Sequence, residues 1–160
     1  MRAPTPERLQ FDGHCLIVLE RTLLAASPNE GCALLIGQRH AEALVVQGIW
    51  PCCNRWEPAS ERQRHFQLDP REQLLAQRWV RERGLQVLGA AHSHPSSPAV
   101  PSLRDRTCSL GPTLMLIRSG LTDDPQPLRA WWLAEPTALQ GLAPEALPLP
   151  LEPLAGDLGE

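Results

Sequence analysis

Leu85-Gln86-Val87-Leu88-Gly89-Ala90-Ala91-His92-Ser93-His94-Pro95 is an apolar run that ends in two histidines and a proline. Leu85, Val87, Leu88, Ala90 and Ala91 predict a strand reaching His94, where Pro95 ends the ladder. Residues i and i+2 of a strand point to one face, so the imidazoles of His92 and His94 can reach one point in space. Pro95 to Pro101 carries three prolines and predicts a loop, and Ser102 opens a short helix to about Ser109. Asp105 then sits on the first turn of that helix, with Ser102 on the same helical face. A catalytic zinc needs three protein ligands and an open position for water. His92, His94 and Asp105 supply those three. Taken singly, two histidines two apart read as a satisfied surface pair, and Ser-x-x-Asp as an N-cap with an acidic third residue. The combined spacing is much harder to obtain by chance.

Working outward, Phe11 to Ala26 has a helix-period stripe of Leu16, Leu19, Leu23 and Leu24, stopped by Ser27-Pro28-Asn29. Gly31 to Gly37 and Ala43 to Trp50 read as a strand pair joined by Gln38-Arg39-His40. Pro51 to Gln67 is charged and without period, a long loop of the kind that often carries function. Asp69-Pro70-Arg71-Glu72 starts a helix, with Asp69 as N-cap, Pro70 at its first position and Glu72 completing a capping box. Gly84 stops that helix. Thr113 to Arg118 and Leu128 to Ala134 are further strands. The order predicts one α/β domain with a mixed central sheet flanked by helices. Residues 1–10 read as a loosely docked leader, 11–134 as the domain, and 135–160 as an irregular Pro/Leu-rich tail.

A chain of 160 residues can bury a sizeable core without staples, so a metal site in it reads as functional rather than structural. The net charge of −3 gives no electrostatic case for nucleic acid. The chain has no lysine, and only its N-terminus could accept an isopeptide-type conjugate. Five cysteines at irregular spacing include no C-x-x-C pair and read as plain thiols in a reducing compartment. The polar first ten residues lack the apolar core of a signal peptide. No apolar run approaches the ~20 residues needed to span a bilayer. A soluble, cytoplasmic chain is the expectation.

The spacing His92-x-His94, seven residues, Ser102-x-x-Asp105 resembles the motif of the JAMM (MPN+) zinc metalloproteases at every position. Glu30, in Ser27-Pro28-Asn29-Glu30-Gly31, stands where that family places an upstream glutamate. Asn54 and Phe66-x-x-Asp69-Pro70 look like its intervening segment, and the resemblance covers roughly residues 11–134. It implies a cytidine-deaminase-like fold and one zinc per chain held by His92, His94 and Asp105. Glu30 would be the general base and Ser102 the oxyanion donor. The implied activity is a metallo-isopeptidase, and the short connections after Ser109 and Ser119 suit the compact prokaryotic type. Its implied substrate is a ubiquitin-like or sulfur-carrier protein ending in Gly-Gly, with Cys53–Leu68 as a mobile flap over the tail. A non-catalytic interaction scaffold and a zinc hydrolase of small amides are the competing readings. The deaminase Pro-Cys-x-x-Cys pair and the HExxH helix are both absent.

Overall fold

Strands buried on both faces build the centre of the molecule. The computed structural model describes residues 4–109, 111–135 and 143–154. Cys32–His40 (β2) is buried from Cys32 to Gly37, as a central strand should be. Ala43–Cys52 (β3) pairs antiparallel on one side of it and Gln86–His94 (β4) antiparallel on the other. Thr113–Ser119 (β5) lies parallel to β4, and Leu128–Leu133 (β6) antiparallel to β5. The β2–β3 turn sits at Ala41-Glu42, with Ala41 at φ 52°, so Gln38, Arg39 and His40 continue the strand expected to end at Gly37. The mixed sheet flanked by helices is the α/β architecture expected from the sequence.

Gly13–Ala25 (α1) starts two residues later than its apolar stripe suggested, because Asp12 caps it by accepting from His14 N at 2.9 Å. It packs Leu19 and Leu23 against Ala33, Leu35 and Ala91 on one sheet face. Pro70–Glu82 (α2) is capped by Asp69, which accepts from Arg71 N at 2.9 Å. The Glu72 carboxylate, expected to complete a capping box, is instead engaged by Trp50 Nε1 at 2.7 Å. Trp50 pairs in register with Leu34, so it lies on the face opposite Leu35 and α1. There its ring meets Trp79 of α2 edge-on at 6.0 Å. Gly84, at φ +65°, closes α2 with a bond from Leu85 N to Val80 O at 2.9 Å.

The two ends of the chain differ from expectation. Arg8–Phe11 (β1), within and beside the supposed leader, runs parallel to β3, with Leu9 and Phe11 fully buried. Ala146–Leu149 (β7) pairs with β6, and Leu151–Pro153 (β8) pairs with β1. β7 and β8 sit at opposite ends of the eight-strand order β7-β6-β5-β4-β2-β3-β1-β8, yet only Pro150 separates them. The sheet therefore curls until both edges meet on one segment, with the α1 core inside. Prolines made this segment look irregular, but terminal strands tolerate them because a ladder bond is missing there anyway. Residues 1–3, 136–142 and 155–160 of the expected leader and tail lie outside the described residues.

Among the described residues the cysteines form no disulfide, with Cys15 and Cys32 buried and Cys53 and Cys108 exposed. Among the described residues no helix is long and apolar enough to cross a membrane.

Leu9 tests whether β1 belongs to the core. Leu9→Ala should cost about 2–5 kcal/mol in urea unfolding, the usual range for a fully buried leucine. A midpoint unchanged from wild type would return Arg8–Phe11 to the status of a leader.

Candidate metal centre

Four of the five residues singled out from the sequence converge at the end of β4, and the fifth caps the helix that carries one of them. His92 and His94 share one face of the strand, and their Nε2 atoms lie 3.1 Å apart. Asp105 Oδ2 lies 3.2 Å from each of them. Glu30 Oε1 is 3.9 Å from His94 Nε2. Glu30, His92 and His94 are 4 %, 0 % and 7 % exposed, so water solvates this cluster poorly.

Strand register brings Glu30 to the histidines. Cys32 pairs with His92, so continuing the antiparallel register by two residues sets Glu30 opposite His94. Ser93, between the histidines, pins that continuation. Its N–H donates to Gly31 O at 3.0 Å, and its hydroxyl accepts from Gly31 N at 2.8 Å. Gly31 has to be glycine, because a Cβ there would stand 2.5 Å from Leu23 O of α1.

Asp105 arrives from Leu103–Thr107 (α3), whose N-cap is Ser102. Ser102 Oγ accepts from Asp105 N at 3.0 Å, and Asp105 Oδ2 accepts from Ser102 N at 2.9 Å. The bland reading of Ser-x-x-Asp as a capping pair is thus correct, and the same cap aims the carboxylate at the histidines. The Ser102 hydroxyl proton stays available to a further acceptor.

The donor chemistry fits a metal ion. His94 Nδ1 lies 2.8 Å from Pro98 O, and a carbonyl can only accept, so Nδ1 carries a proton, and in the neutral ring Nε2 is the nitrogen that could bind an ion. His92 Nδ1 is buried without a hydrogen-bond partner, and its ring is held instead by stacking on Phe66 at 4.4 Å. Three donor atoms converge at 3.1–3.2 Å. A tetrahedral site with bonds of about 2.0–2.1 Å has ligand–ligand edges of about 3.3–3.4 Å. Glu30, His92 and His94 also fall within 4.8 Å of one another and could hold an ion as an alternative triad. Asp105 is closer to both rings than Glu30 is to His94.

Electrostatics separate the two carboxylates. Burial pushes Asp105 up, but hydrogen bonds from His92 and His94 outweigh it and hold the carboxyl well below the usual range. Burial pushes Glu30 up to about 7, with His94 pulling it down and Asp105 raising it. Burial lowers His92 against its Asp105 bond. In His94 burial also pulls down, but bonds to Asp105 and Pro98 prevail and the imidazole is raised.

The long loop carries local structure of its own. It contains a 3-10 turn, Ala59–Glu61, and a bridge between Asn54 and Leu68. Arg104 of α3 stacks its guanidinium over Trp56 at 4.0 Å, joining the loop to the helix that carries Asp105. In the sequence Asn54 and Phe66 stand out only as parts of a resembling segment, and nothing marks Ser93 or Pro98. No local spacing signals their contacts.

Residues 15–134 match the family model described as prokaryotic homologs of the JAB domain. The chain is 34% identical over 92 residues to a probable TtuB-protein conjugate cleaving protease of Thermus thermophilus, covering 55% of this chain and 56% of that protein. It is 34% identical over 79 residues to a desampylase of Haloferax volcanii, covering 49% and 53% respectively. These matches thus span about half the length of both relatives. A desampylase of Pyrococcus furiosus is 29% identical over 139 residues, covering 82% of this chain and 91% of that one. The solution structure of a Desulfitobacterium hafniense protein superposes with a TM-score of 0.72 at 27% identity, covering 91% of this chain and 94% of its own. One from Salinibacter ruber, with a TM-score of 0.58 at 24% identity and coverage of 89% and 90%, shares the fold.

Metal content distinguishes the two triads. About one divalent ion per chain is expected by elemental analysis, lost in His92→Ala and Asp105→Ala and kept in Glu30→Gln. Retention in Asp105→Ala with loss in Glu30→Gln would assign the third ligand to Glu30.

Proposed function

Because the chain belongs to the family of prokaryotic homologs of the JAB domain, we propose that it is a zinc-dependent metallo-isopeptidase. Its substrate on this reading is a ubiquitin-like or sulfur-carrier protein, cut at the amide bond after a C-terminal Gly-Gly. The observation that carries the proposal is the donor triangle of His92, His94 and Asp105 with a separate buried carboxylate, Glu30, beside it. The relatives named for cleaving TtuB conjugates and as desampylases support the substrate class. Cytoplasmic action suits the free thiols, which belong in a reducing compartment.

His92, His94 and Asp105 would hold the zinc. When bound, that ion supplies the charge that makes water acidic near neutral pH and polarises the scissile carbonyl. Every further step falls to the chain itself. Glu30, pushed up to about 7 by burial, is suited to both halves of a proton transfer near neutrality. Its carboxylate takes a proton as the water oxygen bonds to the carbonyl carbon. It returns the proton to the amine nitrogen as the carbon–nitrogen bond breaks. As a ligand of the ion Asp105 would stay ionised, so the two acids would not compete for that proton. Ser102, whose oxygen is fixed by the Asp105 amide, can donate a hydrogen bond from its hydroxyl to the oxygen that gains charge.

Glu30→Gln keeps the volume of the side chain and removes the proton acceptor. On a Gly-Gly-linked conjugate it should retain metal and melting temperature yet lose about 100- to 10,000-fold in kcat. Replacing Gly-Gly by Ala-Ala in the substrate should also cut turnover sharply. Wild-type rates in Glu30→Gln would remove it as the base. Equal cleavage of both conjugates would make the chain a broader amide hydrolase.

A further inference from the structure

The base of the proposed reaction does not sit in a strand. β2 begins at Cys32, two residues past Glu30, so no sheet ladder holds the Glu30 peptide groups. Both are held instead by the loop that follows β3. Glu30 N donates to Arg62 O at 2.7 Å. Glu30 O accepts from Asn54 Nδ2 at 3.0 Å. Nδ2 also donates to His65 O at 2.9 Å. Asn54 Oδ1 accepts from Trp56 N at 3.0 Å and from Gln67 N at 3.2 Å. A side-chain amide has two N–H donors and one oxygen with two lone pairs, and all four places are filled. Two carbonyls on one end and two N–H groups on the other fix which way the amide points.

We infer that Asn54 is the positioning residue of Glu30, tying the 55–67 loop to the peptide of the base. The Oδ1 bonds and the His65 bond are internal to the loop and would be made by any loop-forming asparagine. The bond to Glu30 O is different in kind, because it leaves the loop and joins the segment between α1 and β2. With Arg62 O on the other side, the loop fixes the backbone from which the carboxylate reaches to 3.9 Å from His94. A shift of about 1 Å at a reacting group can cost on the order of 100-fold in rate. Asn54 therefore acts on turnover through Glu30, without touching substrate or the reacting atoms. The inference rests on Glu30 being the base.

Asn54→Asp isolates that role. It keeps an oxygen for Trp56 N and Gln67 N and replaces the two donors by an acceptor facing carbonyls. The variant should lose about 30- to 100-fold in kcat on a Gly-Gly-linked conjugate. KM should stay within about threefold and metal content at wild-type level. In a Glu30→Gln background the same substitution should cost less than about threefold, since its route is already cut. Native-state exchange should show the Glu30 amide released about tenfold or more, with the Leu35 amide inside β2 unchanged. Where Asn54→Asp does not fold, Asn54→Ser, which retains one donor on a shorter arm, is read by the same criteria. An unchanged kcat, an equal loss in the Glu30→Gln background, or an unaltered Glu30 amide would each overturn the inference. A wild-type chain that cleaves no Gly-Gly conjugate would overturn the proposed function instead, and the Glu30 exchange alone would then decide this one.

Discussion

The register between β2 and β4 is the constraint on which the rest depends. Pairing Cys32 with His92 sets the pleat so that His92 and His94 face α3 and Glu30 faces His94. A slip of one residue between the two strands would put Glu30 and the histidines on opposite faces of the sheet. Ser93 and Gly31 hold the register where the ladder ends, through one backbone bond and one hydroxyl bond. The close approach of Leu23 O to Gly31 then presses α1 against that junction. The helix on one face thereby steadies the chemistry on the other.

Burying this cluster has an electrostatic cost. Two imidazoles and two carboxylates lie close together with Glu30, His92 and His94 buried, and taking titratable groups out of water costs free energy unless they are paired. The chain answers with local devices that each serve two purposes. The cap of α3 satisfies a helix end and also lowers and aims Asp105. The Pro98 carbonyl closes a loop and also sets the tautomer of His94. Phe66 fills space beside β4 and also fixes the His92 ring, whose Nδ1 has no polar partner to do so. Asp105, His94 and His92 are thus each held in one orientation by a neighbouring group.

The loop between β3 and α2 links the two halves of this arrangement. It holds Glu30 by its peptide groups, His92 by Phe66 and α3 by the stacking of Arg104 on Trp56. The curled sheet supplies the rigid frame around it. Within that sheet β4 and β5 are interior strands, each paired on both sides. Side chains projecting from them are held more rigidly than the same groups on a loop would be.

Local pattern alone determined the histidine pair, the cap at Ser102 and Asp105, the α2 start at Asp69 and the presence of the central strands. In each case the cause lies within a few residues: a two-residue pleat, a side chain bonding an amide two or three positions on, or a run of apolar residues. Glu30 was legible only through its resemblance to a family motif, since nothing in Asn29-Glu30-Gly31 distinguishes a base from a solvated acid. Tertiary structure decided the rest. β1, β7 and β8 are strands because their partners lie across the molecule, and three or four residues carry too little periodicity to announce that pairing. Asn54, Ser93 and Phe66 acquire their roles from contacts with residues 24, 62 and 26 positions away. Spacing along a chain fixes which way a side chain points. Which distant group it meets is set by register and closure, and these exist only once the sheet has formed.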